Sequence, residues 1–237
     1  MINNFNPIVM NKPFDIWIVD DFLNQRELQR IKDNWPRLND ERWHGGYEYI
    51  GGEKNILEYG MMAISKIELI PKSIRKIFEF FYSDIFIEKL QKMTDTYNLV
   101  DDKMQWSGLR CMLKDSYQLI HSDARTNPKT GFKKEITCLL YLNENYDRKR
   151  DEGCLEIWDD GMENIEHEVE PIDNRLLIFR NSDTSHHGVP KVYSERKALL
   201  FNYCKKEKIA DRTKAFFKAR ESDDKNIDKI ALKRLEV

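Results

Sequence analysis

Tyr117-Gln-Leu-Ile-His-Ser-Asp123 is an apolar run that ends in a His-x-Asp triplet and opens onto a polar, turn-rich segment, Ala124 to Lys134. In a strand, residues i and i+2 point to the same face. His121 and Asp123 would then present one nitrogen and one carboxylate oxygen to a common point. A histidine from a second strand would complete two histidines and one carboxylate on one face of an octahedron. That donor set suits iron(II) and leaves coordination positions open for a cosubstrate and oxygen. It needs a fold that brings an early strand beside a late one, as a double sheet closed on itself does.

The surrounding block has that texture. Between about Gln105 and Tyr203, short apolar runs alternate with turn residues: Leu109–Leu113, Tyr117–Ser122, Glu135–Leu142, Leu155–Trp158, Glu166–Val169, Arg175–Arg180, His187–Val189 and Lys197–Tyr203. Short strands at this spacing predict a sandwich or barrel. The late partner for the triplet lies in Arg175-Leu-Leu-Ile-Phe-Arg-Asn-Ser-Asp-Thr-Ser-His-His-Gly-Val-Pro190, an apolar strand, a polar turn and a histidine pair opening the next strand. His186 and His187 would point in opposite directions. His187 is the preferred ligand, because Gly188 follows it and lets the backbone pass close to a bound group. Arg196 opens the apolar run Lys197-Ala-Leu-Leu-Phe-Asn-Tyr203, where a guanidinium can grip a buried carboxylate bidentately.

The first hundred residues read differently. Phe14–Val19 is a strand candidate. Asn24 then resembles a helix N-cap with Glu27 as capping-box partner, and Leu28, Ile31 and Trp35 carry the helical period until Pro36. Ile74, Ile77, Phe78 and Phe81 form a second apolar stripe, which Ile85 would extend. Between them, residues 40 to 62 hold half of the chain's glycines together with Trp43, Tyr47 and Tyr49. This segment reads as a loop or irregular hairpin, and as a lid over substrate in the sharper reading. The segment 125–134 would flank the same mouth. Its Arg125, Lys129, Lys133 and Lys134 read first as a solvated basic loop, and otherwise as a preference for an acidic substrate. The charged tail from Lys205, with Ile227, Ile230, Ala231 and Leu235 at helical spacing, predicts a docked amphipathic helix.

Composition bounds the function. The chain of 237 residues is 41% apolar and 34% charged, with a formal net charge of −2. A general nucleic-acid binder would show a basic excess, so nucleic acid is an unexpected partner. The four cysteines form no CxxC pair, and Cys138 and Cys204 lie in apolar runs as core residues. No leader-like stretch and no long apolar span is read, so the expectation is a soluble, cytoplasmic protein without a membrane role. Oligomeric state is not legible.

Taken in order, His121-Ser-Asp123, Glu135-Ile-Thr-Cys-Leu-Leu-Tyr-Leu-Asn143, Gly153-Cys-Leu-Glu-Ile-Trp-Asp159, Leu176-Leu-Ile-Phe179, His187-Gly-Val-Pro190 and Arg196-Lys-Ala-Leu199 resemble the iron(II)- and 2-oxoglutarate-dependent oxygenases, especially the prolyl-hydroxylase-like subgroup. The resemblance covers residues 105 to 204. It implies an α+β fold with a mainly β core: a double-stranded β-helix, or jelly roll (105–204), buttressed by an N-terminal strand and helices (1–104) and followed by a charged helical tail (205–237), all in one oxygenase domain.

By the same resemblance, His121, Asp123 and His187 would bind iron(II). Arg196 would pair with the distal carboxylate of 2-oxoglutarate, and Tyr117 and Tyr141 would lie near that cosubstrate. O2 would be the co-reactant, and ascorbate would keep the iron reduced. The implied activity is hydroxylation of an unactivated C–H bond in a small molecule or a peptidyl side chain. Two departures matter. Many prolyl hydroxylases carry lysine where this chain has Arg196, with Lys197 beside it. The nucleic-acid demethylase branch has a second arginine where this chain has Asn202. Two other readings compete: a cupin-like metal protein, which would need more clustered histidines than this chain offers, and a binding module with a degenerate site.

Overall fold

The computed structural model describes residues 1–47, 56–208 and 214–223. The strands are β1 (Ile8–Met10), β2 (Ile16–Val19), β3 (His44–Gly46), β4 (Met61–Ile64), β5 (Leu99–Asp101), β6 (Gly108–Met112), β7 (Gln118–Ser122), β8 (Phe132–Tyr141), β9 (Leu155–Trp158), β10 (Ile165–Val169), β11 (Leu176–Arg180), β12 (His187–Val189), β13 (Arg196–Lys208) and β14 (Phe216–Lys218). The helices are α1 (Gln25–Asp33), α2 (Lys72–Phe81), α3 (Asp84–Thr94) and the short α4 (Arg148–Asp151).

Two antiparallel sheets face each other. The larger runs β1-β2-β11-β8-β13-β6-β4-β3, with β5 also on β13. The smaller runs β10-β9-β12-β7-β14. This is the predicted jelly roll, and all eight strands read from 105–204 are present within a few residues of their expected ends.

The strands of the large sheet read as unbroken apolar runs because both of their faces are covered. Along β11, Leu176 and Ile178 face the helices with Leu28, Ile74 and Phe78. Leu177 and Phe179 face the smaller sheet with Ile157 and Val189. On β13 the same alternation sends Leu199 and Phe201 to the helices and Ala198 inward. Phe201 stacks on Phe81 of α2, with ring centroids 3.7 Å apart.

The helices follow the sequence with two departures. The Asn24 side chain caps α1 by accepting from the Glu27 amide at 3.0 Å. The return half of the capping box does not form, because Asn24 N–H donates to Met1 O and the Glu27 carboxylate turns to Arg30. Ile85 does not extend the stripe of α2. Ser83 caps a new helix by accepting from the Phe86 amide. The break in phase buries Phe86 and leaves Ile85 69% exposed.

The segment 40–62 is partly a hairpin, with β3 pairing β4 at the edge of the large sheet. The tail also differs from expectation. Lys205–Lys208 prolongs β13, and Phe216–Lys218 adds β14 to the free edge of β7. Neither segment is helical, because each finds an unpaired strand edge to bond. The spacing at Ile227 to Leu235 lies outside the described residues.

Candidate active site

The smaller sheet places β12 directly against β7, with His187 opposite His121 and their ring centroids 4.2 Å apart. Asp123 follows just past the end of β7. One ligand atom each from His121, Asp123 and His187 can be chosen so that all lie within 4.8 Å of one another. His121 Nδ1 lies 3.0 Å from Leu119 O, and His187 Nδ1 lies 2.9 Å from Ser185 O. Backbone carbonyls can only accept, so each Nδ1 carries the proton and each Nε2 keeps its lone pair.

Asp123 divides its carboxylate. Oδ2 accepts from Lys134 Nζ at 2.7 Å, while Oδ1 stands 3.7 Å from His121 Nε2. Burial pushes the His121 pKa down to about 3, helped by His187, and burial also lowers that of His187. For Asp123, burial alone would raise the pKa. Lys134 and the two imidazoles outweigh it and hold the carboxyl below its usual range. At neutral pH the site offers two neutral imidazoles and one carboxylate, the protonation states a divalent metal requires. The donor set fits iron(II).

The triad opens into a cavity of about 660 Å³, whose wall also includes Arg196. Arg196 is buried, its Nε donates to Gly153 O at 2.9 Å, and one Nη donates to the Tyr141 hydroxyl at 3.2 Å. Its guanidinium also lies over the Tyr141 ring, 4.9 Å from the centroid. These contacts fix the fork and leave further N–H groups for a carboxylate, so Arg196 could hold an acid such as 2-oxoglutarate within the same cavity as the triad.

The remaining expected residues divide. Tyr141 meets the site through Arg196. Tyr117 does not: its ring stacks on Tyr59 at 5.3 Å, and Gln118 lines the cavity in its place. The cause is a bulge. Between its pairs with His187 and Val189, β7 spends three residues where β12 spends two. The extra residue puts Gln118 and His121 on one face and turns Tyr117 away.

Trp43 is not a lid residue. It is buried beside Trp35 at 6.0 Å and donates its indole N–H to Arg37 O. Tyr47 packs on Tyr59 and donates to Lys114 O, so it braces the rim, and Tyr49 lies outside the described residues. Arg125 pairs with Asp183 at 3.2 Å and does not line the cavity. His186 is buried but likewise does not line it.

Lys134 is no member of a solvated loop. A second bulge, at Glu135 between the pairs Ile136–Tyr203 and Lys134–Cys204, turns it into the cavity. Glu58 and Arg110 join the wall. Gly188 is needed, but for an internal reason: a Cβ there would meet Arg220 Nη2 at 2.6 Å and Leu119 O at 3.1 Å. Arg220 forms a buried ion pair with Glu156 at 2.6 Å and donates to Gln118 O. Phe217 of β14 stacks on His121 at 5.2 Å. The end of the described chain thus backs the metal centre, a role that nothing in its composition announces.

Known proteins are similar to this chain in sequence and fold. A family model described as the 2OG-Fe(II) oxygenase superfamily matches residues 107–204. The human prolyl hydroxylase EGLN3 is 40% identical over 81 residues, a stretch covering 34% of each chain. Egl nine homolog 1 of Rattus norvegicus is 34% identical over 68 residues, 29% of this chain and 20% of that one. These sequence matches span about a third or less of the curated relatives' length. A Trichoplax adhaerens prolyl hydroxylase, solved with a hypoxia-inducible-factor peptide, superposes with a TM-score of 0.60 at 19% identity, covering 80% of this chain and 83% of that one. A Pseudomonas putida prolyl-4-hydroxylase gives 0.57 at 14% identity, over 81% and 92%. Residues 107–204 thus match the 2OG-Fe(II) oxygenase superfamily, and the chain is similar to prolyl hydroxylases in that stretch of sequence and in fold.

Proposed function

We propose that the protein is an iron(II)- and 2-oxoglutarate-dependent dioxygenase that hydroxylates an unactivated C–H bond, with a peptidyl side chain such as proline as the first candidate substrate. The observation that carries the reading is the convergence of His121, Asp123 and His187 at one end of a cavity that also holds Arg196. The peptidyl assignment draws on the relatives named above, one of which was solved with its peptide.

Iron(II) held by His121, Asp123 and His187 would supply oxygen activation, coupling hydroxylation of the substrate C–H bond to conversion of 2-oxoglutarate and O2 into succinate and carbon dioxide. The chain's own residues do the rest. His121 and His187 offer lone pairs on Nε2 because backbone carbonyls occupy both Nδ1–H groups. Lys134 holds Asp123 ionised and oriented. Arg196, steadied by Gly153 O and Tyr141, sets the depth and direction of the cosubstrate. The apolar wall from Leu139, Leu155, Phe179 and Val189 restricts water near the reacting carbon. Four free, buried cysteines suit the reducing cytoplasm proposed as its compartment.

The test is succinate release by protein reconstituted with iron(II), 2-oxoglutarate and ascorbate, screened against proline-containing peptides and small metabolites. The expected result is substrate-stimulated succinate formation that His187→Ala abolishes while His186→Ala retains it. Full activity in His187→Ala would transfer the ligand role to His186 and overturn the site as drawn.

A further inference from the structure

A second arginine faces the cavity, and the cosubstrate does not account for it. On β6, Arg110 lies across from Ala198, while Met112 lies across from Arg196. Arg110 and Arg196 therefore belong to neighbouring inward pairs of the same sheet face, roughly 7 Å apart along the strands. The small side chain of Ala198 leaves room in front of the guanidinium.

The hydrogen bonds of Arg110 all go to neutral groups: Leu109 O at 3.0 Å, Ser65 Oγ at 3.4 Å and Trp106 O. Among the described residues no carboxylate is in ion-pair contact with it; Glu58 and Asp102 act on it only through space. Glu58 accepts from Gln118 at 3.0 Å, and burial favours its neutral form. Asp102 spends its carboxylate on the amides of Met104, Trp106 and Ser107. Neither carboxylate touches the guanidinium, and a desolvated cation is costly until an anion meets it.

We propose that Arg110 anchors a substrate subsite and that the substrate carries a carboxylate which this guanidinium binds. The inference rests on the oxygenase reading above and narrows its substrate class to acids. The carboxylate has two possible sources, a free amino acid or other small acid, or an acidic or C-terminal residue of a peptide. A bidentate contact would hold it at a fixed distance from the triad, which selects the carbon that reacts.

The test uses the full chain loaded with Mn(II) and 2-oxoglutarate. Saturation-transfer NMR compares N-acetyl-L-proline with N-acetyl-L-prolinamide, and an amide-capped Ala-Pro-Glu-Ala peptide with its Gln counterpart. At least one acid should bind on the order of tenfold more tightly than its neutral partner. The pair that shows the preference identifies the source. Arg110→Met should erase that preference, and Arg110→Lys should restore part of it. Equal binding of acid and amide in the wild type, no binding of either acid, or a preference that survives in Arg110→Met overturns the proposal. The wild-type comparison stands even if Arg110→Met fails to fold. Mn(II) broadening of the bound probe separates the two readings. Acid selectivity that depends on Arg110 without broadening would retain the subsite and refute the metal centre.

Discussion

Lys134→Met offers a discriminating perturbation of the metal centre. The Lys134–Asp123 contact is 2.7 Å, with the two side chains 4% and 21% exposed. Removing one partner of a buried pair costs about 3–5 kcal/mol, because the other charge stays behind unanswered. Asp123 is partly exposed, so solvent screening reduces the figure to about 2–4 kcal/mol. In a domain of this size that lowers the melting midpoint by roughly 5–15 °C. A bound divalent metal answers the same carboxylate, and in wild type it must also approach the Lys134 ammonium. The metal-free variant should therefore melt well below wild type, and added Zn(II) or Mn(II) should raise its midpoint more than it raises that of wild type. Differential scanning fluorimetry with and without metal, anchored by calorimetric titration, measures both. A variant as stable as wild type, or one that gains no more from metal, would refute the idea that Lys134 holds Asp123 in place of the ion.

Other perturbations test the remaining parts. Arg196→Ala should raise the apparent Michaelis constant for 2-oxoglutarate on the order of a hundredfold, from the loss of about 3–5 kcal/mol, and an unchanged value would move the role to another cation. Metal-free protein should lose stability as the pH falls from about 6.5 toward about 3. The unfolded histidines take up protons across that window while His121 stays neutral, and buried His187 takes up its proton at a lower pH than an unfolded histidine does. The slope is at most about 1.4 kcal/mol per pH unit for each histidine, and flat denaturant midpoints between pH 6 and 4 would contradict the burial argument. Arg220→Ala should lower the melting midpoint and weaken metal binding, because it frees the strand that packs Phe217 on His121, and an unaltered metal affinity would make β14 a bystander. Amides of residues 43–46 should be protected from hydrogen exchange with or without substrate, since Trp43 is core and β3 is paired; substrate-dependent protection there would restore the lid.

The sequence by itself determined the jelly roll and the three triad residues. The apolar runs of β8, β11 and β13 are legible because burial on both faces leaves continuous Leu, Ile and Phe. His121 and Asp123 are legible as a pair because they stand two apart near a strand end. Tertiary structure alone decided which other side chains meet them. One added residue in β7 exchanges Tyr117 for Gln118, and one in β8 brings Lys134 from an apparent surface loop to Asp123. Neither bulged strand carries a glycine or proline of its own to mark it, because each bulge arises from the register of a neighbouring strand distant in the chain. The same holds for Arg220 over Gly188 and for Arg110 beside Arg196. Local periodicity tells a side chain which face to take, but only the pairing of distant strands decides what stands on the other side.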